Sequence, residues 1–301
     1  MFFKRRWKLQ TKIRNTNPLY VSDLDGTLLI NDATLSEYSR AELQRLLHEG
    51  VSFSVASARS VVSIRKIMQG LHLTLPVVEF NGAFLSDLET GRHQVIHSIE
   101  PAIVRDIYQT VTGFGCIPFV SAYNGMEDRL YYLDPINEGM NWYVNDRLAN
   151  KDRRLRRAVE LADSFREQVV CLTIIDCADV LYELETVFRE QYRGGVETHL
   201  FENAYSPGWH WLTVHDKRAT KDQAIRTLTE MYGMTQNELI VFGDQMNDIK
   251  IFHIAAQAVA VANAVPEVKK HATHVIGSNE EDSVVKYIRA HWDQARVAGK
   301  V

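Results

Sequence analysis

The sequence predicts an α/β protein in which a parallel sheet, built from both ends of the chain, carries an α+β domain inserted between them. Three observations lead there. From Pro18 to Ala83, short apolar runs alternate with helical periodicity in the order strand, helix, strand, helix, strand. The last third of the chain repeats that style. The middle, roughly Leu85 to Trp211, breaks it, with short strands beside helices.

Taken in order, Leu19-Tyr20-Val21-Ser22 is an apolar strand running straight into Asp23-Leu24-Asp25-Gly26-Thr27. Ser36 or Thr34 caps a helix through Leu43, Leu46 and Leu47, and Gly50 closes it. Val51 to Ala56 is the second strand, ending at Ser57-Ala58-Arg59. A helix with Ile64, Ile67 and Met68 stops at Gly70. Pro76 to Phe80 is read as the third strand of the parallel sheet, ending at Asn81-Gly82-Ala83. Beyond the middle, a helix over Lys221 to Tyr232 precedes the strand Glu238 to Phe242, which ends at Gly243-Asp244. A helix through Ile249 and Phe252, the strand Ala258 to Val261, a short helix from Pro266, the strand Thr273 to Ile276 and a helix from Asp282 complete the chain.

These assignments place the sheet domain at residues 18–85 and 212–301 and the inserted domain at 86–211, with a basic N-terminal extension at 1–17. The inserted part offers strands at Gln94–Ile99, Ile117–Ala122, Arg129–Leu133 and Val169–Asp176, and helices near Ala102–Thr112 and Val180–Tyr192. Its run Arg153-Arg154-Leu155-Arg156-Arg157 is expected to be a solvated helix face or loop. Tyr205, Trp209 and Trp211 are expected to pack between the inserted domain and the sheet domain rather than to stack on a sugar.

Composition excludes whole classes of function. With 301 residues, 46% hydrophobic and 24% charged, the chain is an ordinary globular sequence. A net charge of −4 supplies no basic field for nucleic acid. No apolar run is long enough to span a membrane, and the basic start lacks the apolar core of a secretory signal. Three cysteines without CxxC spacing point to free thiols in a reducing cytoplasm.

Ligands of open parallel sheets gather beyond the carboxyl ends of the strands. The polar residues that follow strands here are Asp23 and Asp25, Ser57, Asn81, and Asp244 with Asn247 and Asp248, joined by Lys221 at a helix start. An aspartate fixed at a strand end is a competent nucleophile toward phosphorus. A second one, two residues on, reaches over as general acid and then as base. Several carboxylates beside a phosphate require a cation, and oxygen ligands alone point to Mg²⁺. Ser57 and Lys221 offer a hydroxyl and a positive charge to phosphoryl oxygens, and the backbone N–H groups at Leu24 and Asp25 form an anion nest.

DLDGT at Asp23–Thr27 resembles the first motif of the haloacid dehalogenase-like superfamily, and GDQMND at Gly243–Asp248 resembles its metal motif. ASAR at Ala56–Arg59, NGA at Asn81–Ala83, Lys221 and AVANA at Ala260–Ala264 follow in the order of its Cof-type phosphatases. The resemblance implies a Rossmann-like core with an inserted α/β cap. It implies Asp23 as nucleophile, Asp25 as acid/base, and Leu24, Ser57 and Lys221 as phosphate ligands. Asp23, the carbonyl of Asp25, and Asp244 would hold Mg²⁺, supported by Asn247 or Asp248, with Asn263 and Asn81 ordering the site. Around the lysine the pattern departs, since Arg218 and Asp222 replace glycines and Lys217 is a rival. Lys221 is preferred because Thr220 is placed to cap the helix that Lys221 opens.

The implied activity is phosphoric monoester hydrolysis of a small phosphorylated metabolite, a sugar phosphate or nucleotide, by a monomer or homodimer. Phosphosugar mutase or phosphotransferase chemistry and an idle phospho-ligand-binding relative are the alternatives. A calcium loop fails, because loop positions six and twelve from Asp23 hold Leu28 and Thr34. A receiver domain would need neither the inserted domain nor a second acid, and a dehalogenase would need neither Asp25 nor the GDQMND segment.

Overall fold

The short apolar runs become strands and the periodic stretches between them become helices. In the computed structural model, which describes residues 17–203, 206–234 and 238–298, the first elements are β1 (Leu19–Ser22), α1 (Glu37–His48), β2 (Ser52–Val55), α2 (Val61–Ile67), β3 (Val77–Glu79), β4 (Phe84–Ser86) and β5 (His93–Ile96). Next come α3 (Pro101–Gly113), β6 (Phe119–Tyr123), β7 (Asp128–Tyr132), α4 (Glu138–Ala149), β8 (Leu155–Arg157), β9 (Gln168–Asp176), α5 (Ala178–Gln191), β10 (Val196–Glu202) and β11 (His210–Asp216). The chain finishes with α6 (Lys221–Tyr232), β12 (Leu239–Gly243), α7 (Ile249–Phe252), β13 (Gln257–Ala260), α8 (Pro266–His271), β14 (His274–Val275) and α9 (Ser283–Val297). Expectations for the basic start, residues 1–16, and for Tyr205 lie outside the described residues.

The described residues fall into two compact units, one within Met1–Val55, Leu71–Leu75 and Ile225–Val301, the other within Ala56–Gly70 and Pro76–Ala224. The first is built on a parallel sheet of order β14-β13-β12-β1-β2, a Rossmann-like α/β arrangement. β1 is buried along its whole length, as a strand covered on both faces must be. Its register pairs Ser22 with Phe242 of β12 and with Val55 of β2. The chain runs outward from β1 in one direction and from β12 in the other, so the switch point of the topology lies between these two strands.

Helices seal that sheet. Ser36 caps α1, its Oγ accepting the N–H of Ser39 at 2.9 Å. α9 buries Val284, Val285, Ile288 and Trp292, each side chain stabilising by roughly 1.5–3 kcal/mol. At the rim, Arg289 of α9 donates from both terminal nitrogens to Glu49, at 2.9 and 3.0 Å.

The second unit holds a six-stranded sheet of order β10-β11-β9-β6-β7-β8, antiparallel except between β7 and β8. One face carries α3 and α5 on Val120, Leu172, Ile174, Leu212 and Val214. The opposite face carries α4, whose Met140, Tyr143 and Val144 pack with Phe119, Ile175 and Trp211. Trp211 packs inside this unit, edge to face with Trp142 at 6.0 Å, where packing between the two domains is expected from the sequence.

Two expectations are corrected here. β3 does not extend the parallel sheet but forms an antiparallel sheet with β4 and β5, linked to the residue after β2 by the single parallel bridge Ala56–Val78. Only the tight turn of residues 80–83 separates β3 from β4, and closing so short a loop costs less than a long parallel crossover. The arginine run is not a solvated helix or loop throughout. Leu155–Arg157 is strand β8, and Arg154 is buried, its Nε and Nη2 donating to the two carboxylate oxygens of Asp152 at 3.0 and 2.6 Å. Among the described residues no helix is long and apolar enough to cross a membrane.

Candidate active site

β1 and β12 end side by side, and each ends on an aspartate. Asp23 continues the pairing by one residue, its N–H donating to the Phe242 carbonyl at 3.0 Å. The chain then turns sharply, with Asp25 extended (φ −68°, ψ 125°) and Gly26 left-handed (φ 73°), and the N–H of Leu29 closes the loop on the Leu24 carbonyl at 2.9 Å. Gly26 is required twice over. Its positive φ disfavours side chains, and a Cβ there would lie 2.5 Å from Oδ2 of Asp244.

Asp244 is held on several sides. Its Oδ1 accepts the Thr27 hydroxyl at 2.8 Å, its Oδ2 the Gln245 amide at 3.2 Å, and its backbone carbonyl the N–H of Val265 at 3.0 Å. Asp248 folds back so that Oδ2 accepts the N–H groups of Asp244 and Gln245, at 3.0 and 3.1 Å. Asn263 braces the opposite rim, donating to the Gly26 carbonyl at 2.7 Å and accepting the N–H of Asn279 at 3.0 Å. Asn247 is half-buried on the turn between the two aspartates.

Carboxylate oxygens of Asp23, Asp244 and Asp248 lie within 4.8 Å of one another, all three buried. Like charges at that separation repel by roughly 3 kcal/mol per pair at an effective dielectric of about 20, so the cluster calls for a compensating cation. The donor set is oxygen only, and it fits a hard divalent ion.

The second unit gathers the other predicted residues. Ser57 is buried and its Oγ accepts the N–H of Arg59 at 3.1 Å. Asn81, left-handed at φ 55°, donates its N–H to the Ser57 carbonyl at 3.0 Å. The next residue, Gly82 (φ 112°), backs directly onto Thr220, leaving no room for a Cβ. Ser57, Asn81 and the start of α6 are thereby joined. Lys221 is 2% exposed, whereas Lys217 is exposed. The Thr220 cap does not form: its Oγ1 is buried and meets no hydrogen-bond partner among the described residues. Instead its backbone carbonyl accepts the N–H of Ala224 at 3.0 Å, opening α6.

Sequence reasoning gave no role to Thr27, Gln245 or Asn279. Thr27 carried a signal, since it completes the DLDGT run. Asn279 carried none, as its amide reaches the Leu29 carbonyl (2.9 Å) across 250 positions.

A model of the haloacid dehalogenase-like hydrolases matches residues 20–288. The chain belongs to the haloacid dehalogenase-like hydrolase family. Among its relatives, 5-amino-6-(5-phospho-D-ribitylamino)uracil phosphatase YitU of Bacillus subtilis (strain 168) is 24% identical over 92% of this chain and 98% of its own length. HMP-PP phosphatase of Cronobacter sakazakii (strain ATCC BAA-894) is 25% identical over 90% and 93% respectively. The crystal structure of TM0651 from Thermotoga maritima superposes with a TM-score of 0.73 at 27% identity, covering 91% of this chain and 97% of that one. This haloacid dehalogenase-like chain is a phosphatase, and its motifs are those of the Cof-type branch.

Proposed function

We propose that the chain is a Mg²⁺-dependent phosphatase of small phosphorylated metabolites, of the sugar phosphate or nucleotide class, working through an aspartyl phosphate on Asp23. The observation that carries this reading is the buried triad of Asp23, Asp244 and Asp248 at the switch point of the sheet. The names of YitU and of the HMP-PP phosphatase, which act on small phosphorylated compounds, support the substrate class.

In this reading a carboxylate oxygen of Asp23 attacks phosphorus in line as the bond to the leaving oxygen breaks, and Asp25 protonates that oxygen. Asp25 then takes a proton from water, whose oxygen attacks phosphorus, releasing inorganic phosphate and restoring Asp23. Ser57, Lys221 and the N–H groups of Leu24 and Asp25 hold the phosphoryl oxygens. Asp23, the Asp25 carbonyl and Asp244 would hold Mg²⁺, with Asp248 and Asn247 supporting them; when bound, the ion would supply positive charge to balance the phosphoryl oxygens. Asn81 and Asn263 order the surrounding turns. Residues 86–211 act as a cap that excludes bulk water, on a core of residues 18–85 and 212–301. The three free cysteines suit a reducing cytoplasm.

The test is phosphate release from a panel of phosphorylated metabolites, for wild type and Asp23→Asn, with Mg²⁺ and with chelator. Release that needs both Asp23 and the metal is expected. Hydrolysis retained by the pure variant overturns the covalent mechanism, and hydrolysis unaffected by chelation overturns the metal assignment.

A further inference from the structure

His93, on β5, has both ring nitrogens and both ring faces engaged, and neither the family motifs nor the chemistry above gives it a task. Its side chain is 2% exposed. The ring stacks flat on Phe84, with centroids 3.9 Å apart and 6° between planes, and meets Tyr123 edge-on at 4.9 Å. Nε2 lies 2.7 Å from Oδ1 of Asp128 on β7. Nδ1 lies 2.6 Å from the Ser86 hydroxyl and 3.3 Å from Oε1 of Glu79.

Counting protons points to the charge of the ring. The Ser86 hydroxyl donates its only proton to Glu79, so towards His93 it has only a lone pair to offer. Nδ1 must therefore carry a proton. Asp128 as a carboxylate only accepts, so Nε2 must carry one too. With Glu79 and Asp128 both carboxylates, both nitrogens donate and the ring is an imidazolium between them.

Each carboxylate anchors a functional turn. Glu79 is fully buried, and its other oxygen accepts the N–H of Val61, the first residue of α2. It thus grips the far end of the Ser57–Ser60 turn. Directly after it, Phe80 and Asn81 adopt positive φ of 48° and 55°, a conformation that non-glycine residues hold only when their surroundings enforce it. Phe80 and Asn81 donate their N–H groups to the carbonyls of Arg59 and Ser57, at 3.1 and 3.0 Å. Asp128 closes the turn at residues 124–127, where Asn124 Oδ1 accepts the N–H groups of Met126 and Glu127.

We propose that His93 is a positioning residue of the phosphatase reaction: as an imidazolium shared by Glu79 and Asp128, it holds the Ser57 and Asn81 turns in working geometry and locks them to the 124–127 turn. The proposal rests on the reading of Ser57 as a phosphoryl ligand. The groups facing the ring are Glu79 from β3, Phe84 and Ser86 from β4, Tyr123 from β6 and Asp128 from β7, with the Arg154 guanidinium acting on Asp128 from beyond it. Burial opposes charge on the ring, but the hydrogen bonds to Asp128 and Glu79 outweigh it and push its pKa up to about 9. The clasp is therefore closed at neutral pH and opens in mild alkali.

The test combines ¹⁵N NMR of the labelled imidazole in the wild type with pH profiles of kcat/KM. The expected result is a doubly protonated His93 ring at pH 7 and an alkaline fall in kcat/KM that tracks its titration. His93→Gln should lower kcat/KM ~10-fold or more and abolish that alkaline limb. A ring that is neutral at pH 7, or a His93→Gln enzyme with the wild-type profile, overturns the proposal. Should His93→Gln not fold, Asp128→Asn must lower both the ring pKa and kcat/KM together, and a lowered ring pKa with unchanged turnover overturns it equally. A wild type without turnover would sink the phosphatase reading and the positioning role with it, while the NMR would report the charge of the ring independently.

Discussion

Thr27 Oγ1 donates to Asp244 Oδ1 at 2.8 Å, joining two residues 217 positions apart. The hydroxyl belongs to the turn after β1 and the carboxylate directly follows β12, so this bond ties the proposed nucleophile's loop to the proposed metal site. It occupies one oxygen of Asp244 and fixes the direction of the other.

Thr27→Val keeps the shape and removes the donor. Bonds to charged groups are worth about 1.5–3 kcal/mol, and loss of a group that orients a ligand typically costs 10–100-fold in metal affinity or activity. The expected outcome is a raised Mg²⁺ requirement for phosphate release, measured by metal titration at fixed substrate. An unchanged requirement would show that Asp244 is oriented without Thr27.

Gly26→Ala places a methyl group against Asp244 at a backbone angle that costs roughly 1–2 kcal/mol for an L-residue. Turnover should fall about 100-fold while the melting temperature drops only a little, because the damage is confined to the loop. Phosphate release and thermal denaturation, measured on the same preparation, check this.

Arg154 and Arg153 are neighbours with opposite fates. Arg154→Ala strands Asp152 as a buried carboxylate and should cost about 3–5 kcal/mol. Arg153 is exposed, and Arg153→Ala should stay within about 0.5 kcal/mol. Denaturant titration of both variants separates them.

Two buried histidines should shape the stability profile in opposite senses. His215, pushed down to about 4 by burial, stays neutral in the folded state while the unfolded chain takes up a proton near pH 6.5. Its contribution is complete above about pH 6.5 and is lost as pH falls towards 4. His93, raised to about 9, contributes fully below about pH 6.5 and loses that contribution as pH rises through 9. Melting curves of wild type, His215→Gln and His93→Gln should therefore diverge on opposite sides of neutrality.

Much of this was legible in the sequence. β1 and β12 are short apolar runs that end on acids, and burial on both faces demands just such runs. Pro266–His271 and Lys221–Tyr232 carry plain boundary signals and form helices over those residues. α4 was missed because Met140, Trp142, Tyr143 and Val144 crowd together instead of recurring every three or four residues. β3 was assigned to the wrong sheet, since three apolar residues do not declare their partner. His93 was invisible for the same reason: its two carboxylates come from other strands, and no local pattern announces them.

The placement of Asp23 and Asp244 on adjoining strands also has a bearing on the ribosome. β1 can take β2 as a partner once both have emerged, but the strand for its other edge lies 220 residues downstream, Leu19 pairing with Leu239. At elongation speeds of about 5–20 residues per second, that edge waits roughly 10–40 s. Throughout that interval the nascent chain has Asp23 without Asp244 and Asp248. The acidic triad is thus completed only once β12 has been made, and until then the β1 edge that β12 covers stays unpaired.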